Sequence, residues 1–216
     1  MGGSGDPSPV TAYGVYMGMK ATVKHVFGSD DLSDKTVAVQ GVGQVGMNLV
    51  NHLKKEGAKV FITDIAEDKL AKVAKSTGAI VVGKDEIYDL DMDIYAPCAL
   101  GATLNDDTIP RLKASMVVGS ANNQLEDEKK HGYMLIDHNI AYAPDFLVNA
   151  GGLINVGAEY YGPYNSEKAH LDAEKIYDTT LDILKMADKE SISSQEAAIK
   201  IAERRIAAIG NLKLPF

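Results

Sequence analysis

Residues 36–46 read Thr36-Val37-Ala38-Val39-Gln40-Gly41-Val42-Gly43-Gln44-Val45-Gly46, a β-branched apolar run that leads into three spaced glycines. The run at 36–40 is typical of a buried strand, and the apolar residues that follow as far as Leu53 favour a helix. A glycine turn between a buried strand and a helix is typical of the first unit of a parallel α/β sheet. This stretch therefore decides the fold class.

Further strands are predicted downstream of this unit. The short apolar runs at 59–64, 79–82, 93–96, 115–118 and 140–143 favour strands, and a helix is predicted at 67–77. Strands that alternate with helices form right-handed βαβ units, whose parallel sheet is covered on both faces. The sequence predicts an α/β fold: a doubly wound, Rossmann-type, mostly parallel sheet with helices on both faces.

The N-terminal segment 1–9 is rich in small residues and is interpreted as a linker. A helix is predicted over 10–26, with Ser8 as its N-cap. Gly14 and Gly18 lie four residues apart on one face of this helix, where they would let another backbone approach closely.

Two extra helices are predicted near the C-terminus, over 166–190 and 193–208, from the helical spacing of their apolar residues. Residues 10–216 are interpreted as one cofactor-binding domain.

Composition excludes several classes of protein. The 216 residues carry 22 Lys and Arg against 30 Asp and Glu, a formal charge of −8, which argues against nucleic acid or an anionic membrane as partner. The chain has a single cysteine, Cys98, and no long apolar run. These features predict a protein of the cytoplasm without disulfides or membrane spans. The five histidines lack a metal-ligand spacing, so no metal site is predicted.

The glycine loop, residues 41–46, is the strongest chemical signal. Gly41 permits a tight turn, Gly43 lets a pyrophosphate approach the backbone, and Gly46 allows a helix to pack closely on the strand. Gln44 and Val45 complete the loop as candidate cofactor contacts, and the free N–H groups of the helix that follows attract phosphate. This pattern predicts a dinucleotide site.

Asp64 ends the second predicted strand. In dinucleotide-binding proteins an acidic residue about 20 positions after the glycine loop contacts the adenosine ribose, and Asp64 lies close to that position. Its carboxylate would repel the 2′-phosphate of NADP, so NAD is the predicted cofactor, with Ile65 beside it. The alternative is a glycine turn that binds nothing, with Asp64 acting as a helix cap.

Three segments that follow later strands are expected to line the crevice at the carboxyl edge of the sheet: 97–100, 119–124 and 144–152. Their small residues and amides suit hydrogen bonds to a ribose and a carboxamide, although each segment alone is also compatible with an ordinary loop. The candidate cofactor contacts here are Cys98, Ala99, Leu100, Ala121, Asn122, Asn123 and Asn149.

Four stretches occur in one order: Gly5-Asp6-Pro7-Ser8-Pro9-Val10-Thr11-Ala12-Tyr13-Gly14-Val15, the glycine loop, Tyr95-Ala96-Pro97-Cys98-Ala99-Leu100-Gly101, and Pro144-Asp145-Phe146-Leu147-Val148-Asn149-Ala150-Gly151-Gly152. Together they resemble the cofactor-binding half of the glutamate/leucine/phenylalanine/valine dehydrogenases, nearest to the members that act on leucine. The resemblance implies oxidative deamination of an L-amino acid with NAD, giving a 2-oxo acid and ammonia. It also implies that Thr11 contacts the nicotinamide carboxamide, and that Ala99, Asn123 and Asn149 lie near the nicotinamide ribose or the substrate.

In that family an N-terminal domain carries the catalytic lysines and aspartate, and it precedes the segment with which this chain begins. The resemblance therefore places no catalytic residue in this chain. The chain is expected to bind cofactor without turnover. Its expected partner is an N-terminal catalytic domain, and assembly into a homo-oligomer is an option. The alternatives are a stand-alone nucleotide-binding module and an engineered scaffold.

Leu153 and Val156 lie three residues apart and would face one substrate pocket if this stretch is helical. An apolar Val156 would leave a carboxylate on the substrate side chain unpaired, so an amino acid with an apolar side chain is predicted. Leucine is favoured, and valine and phenylalanine stay open. The alternative is that both residues belong to the core.

Overall fold

The computed structural model describes residues 3–160 and 163–210. Its sheet has six strands, all parallel, in the order β3-β2-β1-β4-β5-β6. The strands are β1 Thr36–Gln40, β2 Lys59–Thr63, β3 Ile80–Val81, β4 Ile94–Pro97, β5 Met116–Val117 and β6 Ala141–Tyr142. The predicted doubly wound Rossmann-type fold is confirmed, and the strand order reverses between β1 and β4.

The helices are α1 Ser8–Phe27, α2 Gln44–Lys55, α3 Glu67–Thr77, α4 Glu128–Asp137, α5 Asp145–Val148, α6 Gly151–Gly157, α7 Ser166–Glu190 and α8 Ser194–Gly210, with 3₁₀ turns at Glu86–Asp89 and Ile109–Arg111. The predictions at 67–77 and 166–190 are confirmed at both ends. The last helix is confirmed within two residues at each end. Residues 211–216 of the predicted domain lie outside the described residues.

Each face of the sheet is covered by its own hydrophobic core. Alternate residues of the central strands point into different cores. Val37 and Val39 pack into the core beneath α1 and α2, whereas Ala38 points into the opposite core. The prediction that glycines of α1 let another backbone approach is confirmed at Gly14, whereas at Gly18 the neighbour is the Val148 side chain. A Cβ at Gly14 would stand 2.9 Å from the Val148 carbonyl oxygen, so this close approach requires glycine.

The N-terminal segment departs from the prediction. Helix α1 begins at Ser8 with Pro7 as the N-cap residue, so Ser8 is not the cap and the predicted linker 1–9 extends two residues too far. The reason is Asp6, whose Oδ1 accepts a hydrogen bond from the Ser8 N–H at 2.9 Å. Upstream, Asn155 Nδ2 donates to the Ser4 carbonyl at 3.3 Å.

The outer strands are shorter than predicted, with two residues each in β3, β5 and β6 where four were expected. Ile80 and Val81 of β3 are about half exposed because β3 lies at the edge of the sheet. Asp64 falls just after β2 rather than within it. Helix α4, which the sequence did not predict, buries only His131, Gly132 and Leu135, a set without an apolar period.

Candidate cofactor site

Parallel strands bring the segments that follow β1, β4, β5 and β6 to the same edge of the sheet. The glycine loop follows β1, and what we call the three crevice segments, residues 97–100, 119–124 and 144–152, follow the other strands. In open α/β sheets the crevice where the strand order reverses is the usual place for a ligand. The structure therefore gathers the predicted site segments at one edge.

The glycine loop is fixed by contacts that only glycine allows. Gly41 has a φ of 98°, a left-handed conformation, and a Cβ there would stand 2.7 Å from the Ala99 Cβ. A Cβ at Gly46 would stand 2.0 Å from the Gly41 carbonyl oxygen. The loop and the start of α2 are thus packed directly on each other.

Gly43 differs from its neighbours in the loop. It is exposed, and a Cβ built on it would meet no atom within 4 Å among the described residues. Helix α2 begins at the next residue, Gln44, and no side chain caps it. The first N–H groups of a helix lack partners within the helix and attract anions. The N-terminus of α2 at Gly43, Gln44 and Val45 is therefore open and uncapped.

Asp64 is held in place by two backbone donors. Its Oδ2 accepts from the Val42 N–H at 2.7 Å, and its Oδ1 accepts from the Ala66 N–H at 2.8 Å. The carboxylate thereby ties the glycine loop to the turn before α3. A cleft of about 440 Å³ begins here, lined by Asp64, Glu67, Leu70, Val82 and Lys84 among others. The next residue after Asp64, Ile65, is 79% exposed.

The first crevice segment follows β4. The Cys98 N–H donates to the Gln40 carbonyl at 2.7 Å, which places this segment against the glycine loop. Burial raises the pKa of the Cys98 thiol, so the group stays protonated at neutral pH and is a poor nucleophile. Ala99 and Leu100 are exposed, as a contact surface for a ligand requires.

The second and third crevice segments are joined by an amide. Asn149 Nδ2 donates to Asn122 Oδ1 at 2.6 Å and to the Ser120 carbonyl at 3.3 Å. The Ala121 N–H donates to the Pro97 carbonyl at 3.0 Å, while Asn123 is exposed with a φ of 52°. The structure thus brings together the predicted residues of both segments.

Thr11 lies at the start of α1, where α6 packs against it. A Cβ at Gly152 would stand 2.7 Å from Thr11 Oγ1, and one at Gly151 would stand 2.2 Å from the Val10 carbonyl oxygen. Leu153 and Val156 follow on α6, one turn apart, with 77% and 53% exposure. These exposures exclude the alternative that the two residues belong to the core.

Two buried residues that sequence reasoning missed support the crevice segments. Gln124 donates to two carbonyls of its own loop, and Asp145 Oδ2 accepts from the Gln124 N–H at 2.9 Å. Both stand inside predicted segments, but a polar residue in a loop gives no sign of its burial, so the sequence carried no signal for either.

Other kinds of site find less support in the described chain. Within residues 3–160 and 163–210, no three His, Cys, Asp or Glu side chains are grouped to hold a metal ion. Of the helices in those ranges, none has the length and apolar character that a membrane span requires.

A glycine loop beneath an open helix N-terminus, at the switch point of a parallel sheet, defines a protein of the dinucleotide-binding class. The family model for glutamate/leucine/phenylalanine/valine dehydrogenase matches residues 2–66 and 62–211, and the chain belongs to this family.

The relatives include several amino-acid dehydrogenases. The chain is 51% identical over 215 residues to leucine dehydrogenase of Bacillus cereus, and 46% identical over 210 residues to phenylalanine dehydrogenase of Lysinibacillus sphaericus. These alignments cover 100% and 95% of this chain, but 58% and 55% of the relatives. The crystal structure of L-tryptophan dehydrogenase from Nostoc punctiforme superposes with a TM-score of 0.91 at 46% identity, covering 94% of this chain and 60% of that one. The chain thus spans little more than half the length of these relatives.

Proposed function

We propose that this chain binds NAD at the carboxyl edge of its sheet and forms the cofactor-binding part of an L-amino-acid dehydrogenase. The observation that carries the proposal is the uncapped N-terminus of α2, which Gly43 leaves open to a ligand. When bound, NAD supplies the acceptor for the hydride that leaves the amino-acid Cα.

The residues present fit the two phosphates. Gly41 and Gly46 hold the loop tightly against α2, so its N–H groups are oriented before a ligand arrives. Gly43 leaves the space beside them clear. The partial positive charge at the helix N-terminus stabilises an anion placed there.

Asp64 selects NAD over NADP in this proposal. A carboxylate has about four acceptor sites, so the two bonds to the Val42 and Ala66 N–H groups leave capacity for ribose hydroxyls. Because both oxygens are held by the backbone, Asp64 is restrained from turning away from a 2′-phosphate. The repulsion between these charges disfavours NADP.

The crevice segments position the nicotinamide half of the cofactor. Thr11 and Asn149 supply polar groups for the carboxamide and ribose, beside Ala99 and Asn123. Leu153 and Val156 present apolar surface on α6 to the substrate side chain. A charged substrate side chain would lose its hydration there without a partner, which favours an apolar L-amino acid. Leucine is the first candidate, followed by phenylalanine, valine and tryptophan.

The chain alone binds cofactor without turnover in this proposal. Lys54 and Lys55 lie in the last turn of α2, away from the glycine loop, and Lys130 pairs with Asp106 at 2.5 Å. Deamination needs a base with a pKa near the working pH, for which a desolvated lysine is typical. A catalytic region of the whole enzyme would supply it, in a homo-oligomer of the cytoplasm.

Calorimetric titration of the chain with NAD⁺ and NADP⁺ tests this proposal. We expect saturable NAD⁺ binding at least tenfold tighter than NADP⁺ binding, which corresponds to about 1.4 kcal/mol. The variant Asp64→Asn should lose most of that ratio, whereas Asp68→Asn, an exposed carboxylate in the first turn of α3, should keep it.

Each part of the proposal has its own contrary result. Failure of both nucleotides to bind would contradict the cofactor site, and equal affinities would remove Asp64 as the selector. NADH formation from NAD⁺ and leucine, at a rate typical of an enzyme, would contradict the absence of turnover.

A further inference from the structure

Gln124 is fully buried at the end of the second crevice segment, and its amide is tied to the backbone of that segment. Its Nε2 donates to the Gly119 carbonyl at 2.8 Å and to the Ala121 carbonyl at 2.9 Å. Two carbonyl acceptors require the nitrogen at this place, so they fix the orientation of the amide. The exposed residues Asn122 and Asn123 stand on the loop that these bonds hold.

Holding the loop in this way has a cost in stability. Gln124 Oε1 is buried and has no hydrogen-bond partner among the described residues. An unpaired buried acceptor loses its hydration without compensation. A methionine would remove that unpaired acceptor, but it would also leave the Gly119 and Ala121 carbonyls without their donor. What the glutamine contributes here is therefore the pair of bonds that holds the loop.

Asp145 extends these contacts to the third crevice segment. The side chain is 6% exposed, its Oδ2 accepts from the Gln124 N–H at 2.9 Å, and its Oδ1 accepts from the Phe146 N–H at 2.6 Å. Asp145 begins α5, and α5 leads directly to Asn149. The Asn149 amide then bonds back to Asn122 at 2.6 Å. These two hydrogen bonds, together with the chain from Asn122 to Gln124 and from Asp145 to Asn149, form a closed ring through both segments.

We propose that Gln124 and Asp145 are positioning residues, which set the place of residues 119–123 and of Asn149 for the nicotinamide half of the cofactor. This inference rests on the proposed NAD site. The glycine loop is braced separately, by Asp64, so the effect is confined to one half of the ligand.

Gln124→Met removes both donors and the unpaired acceptor at nearly constant volume. Hydrogen exchange of the amides at 119–123 should become at least tenfold faster, while exchange at 41–46 stays close to the parent value. The parent chain should bind NAD⁺ more tightly than ADP-ribose, which lacks the nicotinamide. The variant should lose that advantage about tenfold and keep its ADP-ribose affinity.

Gln195→Met is the matched control. Gln195 is also buried and also has an Oε1 without a partner among the described residues, but it lies on α8. Its replacement should change neither the loop exchange nor the affinities. Asp145→Asn keeps one carbonyl acceptor, so it should change the exchange at 119–123 and the ratio of NAD⁺ to ADP-ribose affinity in the same direction as Gln124→Met, but by less. If Gln124→Met does not fold, Asp145→Asn tests the inference in its place.

The outcomes separate this inference from the proposed function. Unchanged exchange at 119–123 in a folded variant overturns the inference, whatever nucleotide binds. Faster exchange with an unchanged ratio of NAD⁺ to ADP-ribose affinity overturns the positioning role, as do equal affinities in the parent chain. Failure of the parent chain to bind either ligand overturns the proposed function and this inference together, whereas the other results leave the NAD site standing.

Discussion

The glycine loop and the three crevice segments lie at the same edge of the sheet but are held in different ways. In the glycine loop the decisive contact joins Gly41 and Gly46, which are five positions apart. A Cβ built on Gly46 would stand only 2.0 Å from the Gly41 carbonyl oxygen. In the crevice segments Asn149 bonds to Asn122, and Gly151 packs on Val10. The tightest contact is thus local in the glycine loop, whereas the crevice segments are held by contacts between distant parts of the chain.

The largest loss of stability is expected at the local contact between Gly41 and Gly46. Gly46→Ala would place its Cβ against the Gly41 carbonyl, which only a backbone shift can relieve. We expect a loss of about 3 kcal/mol in the free energy of unfolding, with a Tm lower by about 6–12 °C. Urea and thermal unfolding measure both.

Gly43→Ala is the matched control for that substitution. A Cβ there meets nothing within 4 Å in the described chain, and the φ of −65° suits any residue. The variant should keep its stability but bind nucleotide more weakly, because the methyl group occupies the open position. Equal stability losses in the two variants would contradict a loop specified by the contact at Gly46.

A smaller loss of stability is expected in the crevice segments, because several hydrogen bonds hold them together. Asn149→Ala removes the bonds to Ser120 and Asn122, but the contacts of Gln124 and Asp145 remain. The free energy of unfolding should fall by about 1 kcal/mol, the usual value for a side-chain hydrogen bond. Asn51→Ala, at an exposed position on α2, should cost less. A loss as large as that of Gly46→Ala would show that the second region also depends on a single contact.

The smallest effect concerns α2 away from both regions. Burial, Lys55 and His170 lower the pKa of His52, whose ring stacks on Tyr16 and also faces Tyr13 and Glu56. The pKa of His52 in the folded chain lies below the unfolded value of about 6.5. As the pH falls below 6.5, the unfolded chain therefore binds more protons than the folded chain. Folding stability therefore decreases with acidification through this window.

His52→Gln should reduce that decrease, measured as the free energy of unfolding at pH 7.5 and pH 5.5. Nucleotide affinity at pH 7.5 should stay unchanged, since His52 lies in the last turn of α2, away from the glycine loop. The same pH dependence in the variant and the parent chain would contradict the role of His52.

The same contrast explains what could be predicted from the sequence. The apolar run at 36–40, the glycine spacing and the alternation of strands are local signals, and they predicted the fold class and the position of the glycine loop. Helix α4 was missed because its buried residues include His131 and Gly132 rather than an apolar stripe. The cap at Ser8 was wrong because Ser8 is the first residue of the helix, and its own N–H donates to Asp6 Oδ1.

The site was predictable only where its residues carry a local pattern. Asn122 and Asn149 were placed in the site by their segments, but nothing in the sequence indicates that their amides meet across 27 positions. Gln124 and Asp145 look like ordinary loop residues until the sheet order brings β5 and β6 side by side. Such contacts require the whole topology.

The packing of α1 on α7 has a consequence for synthesis of the protein. Gly14 contacts Ile176 and Tyr13 bonds to Glu174, so the first helix completes its core only with a helix encoded roughly 140 residues later. At about 5–20 residues per second, a ribosome needs on the order of 7–28 s to produce that stretch. During this interval the buried face of α1 stays without its final partner, which makes the nascent chain a natural client for chaperones.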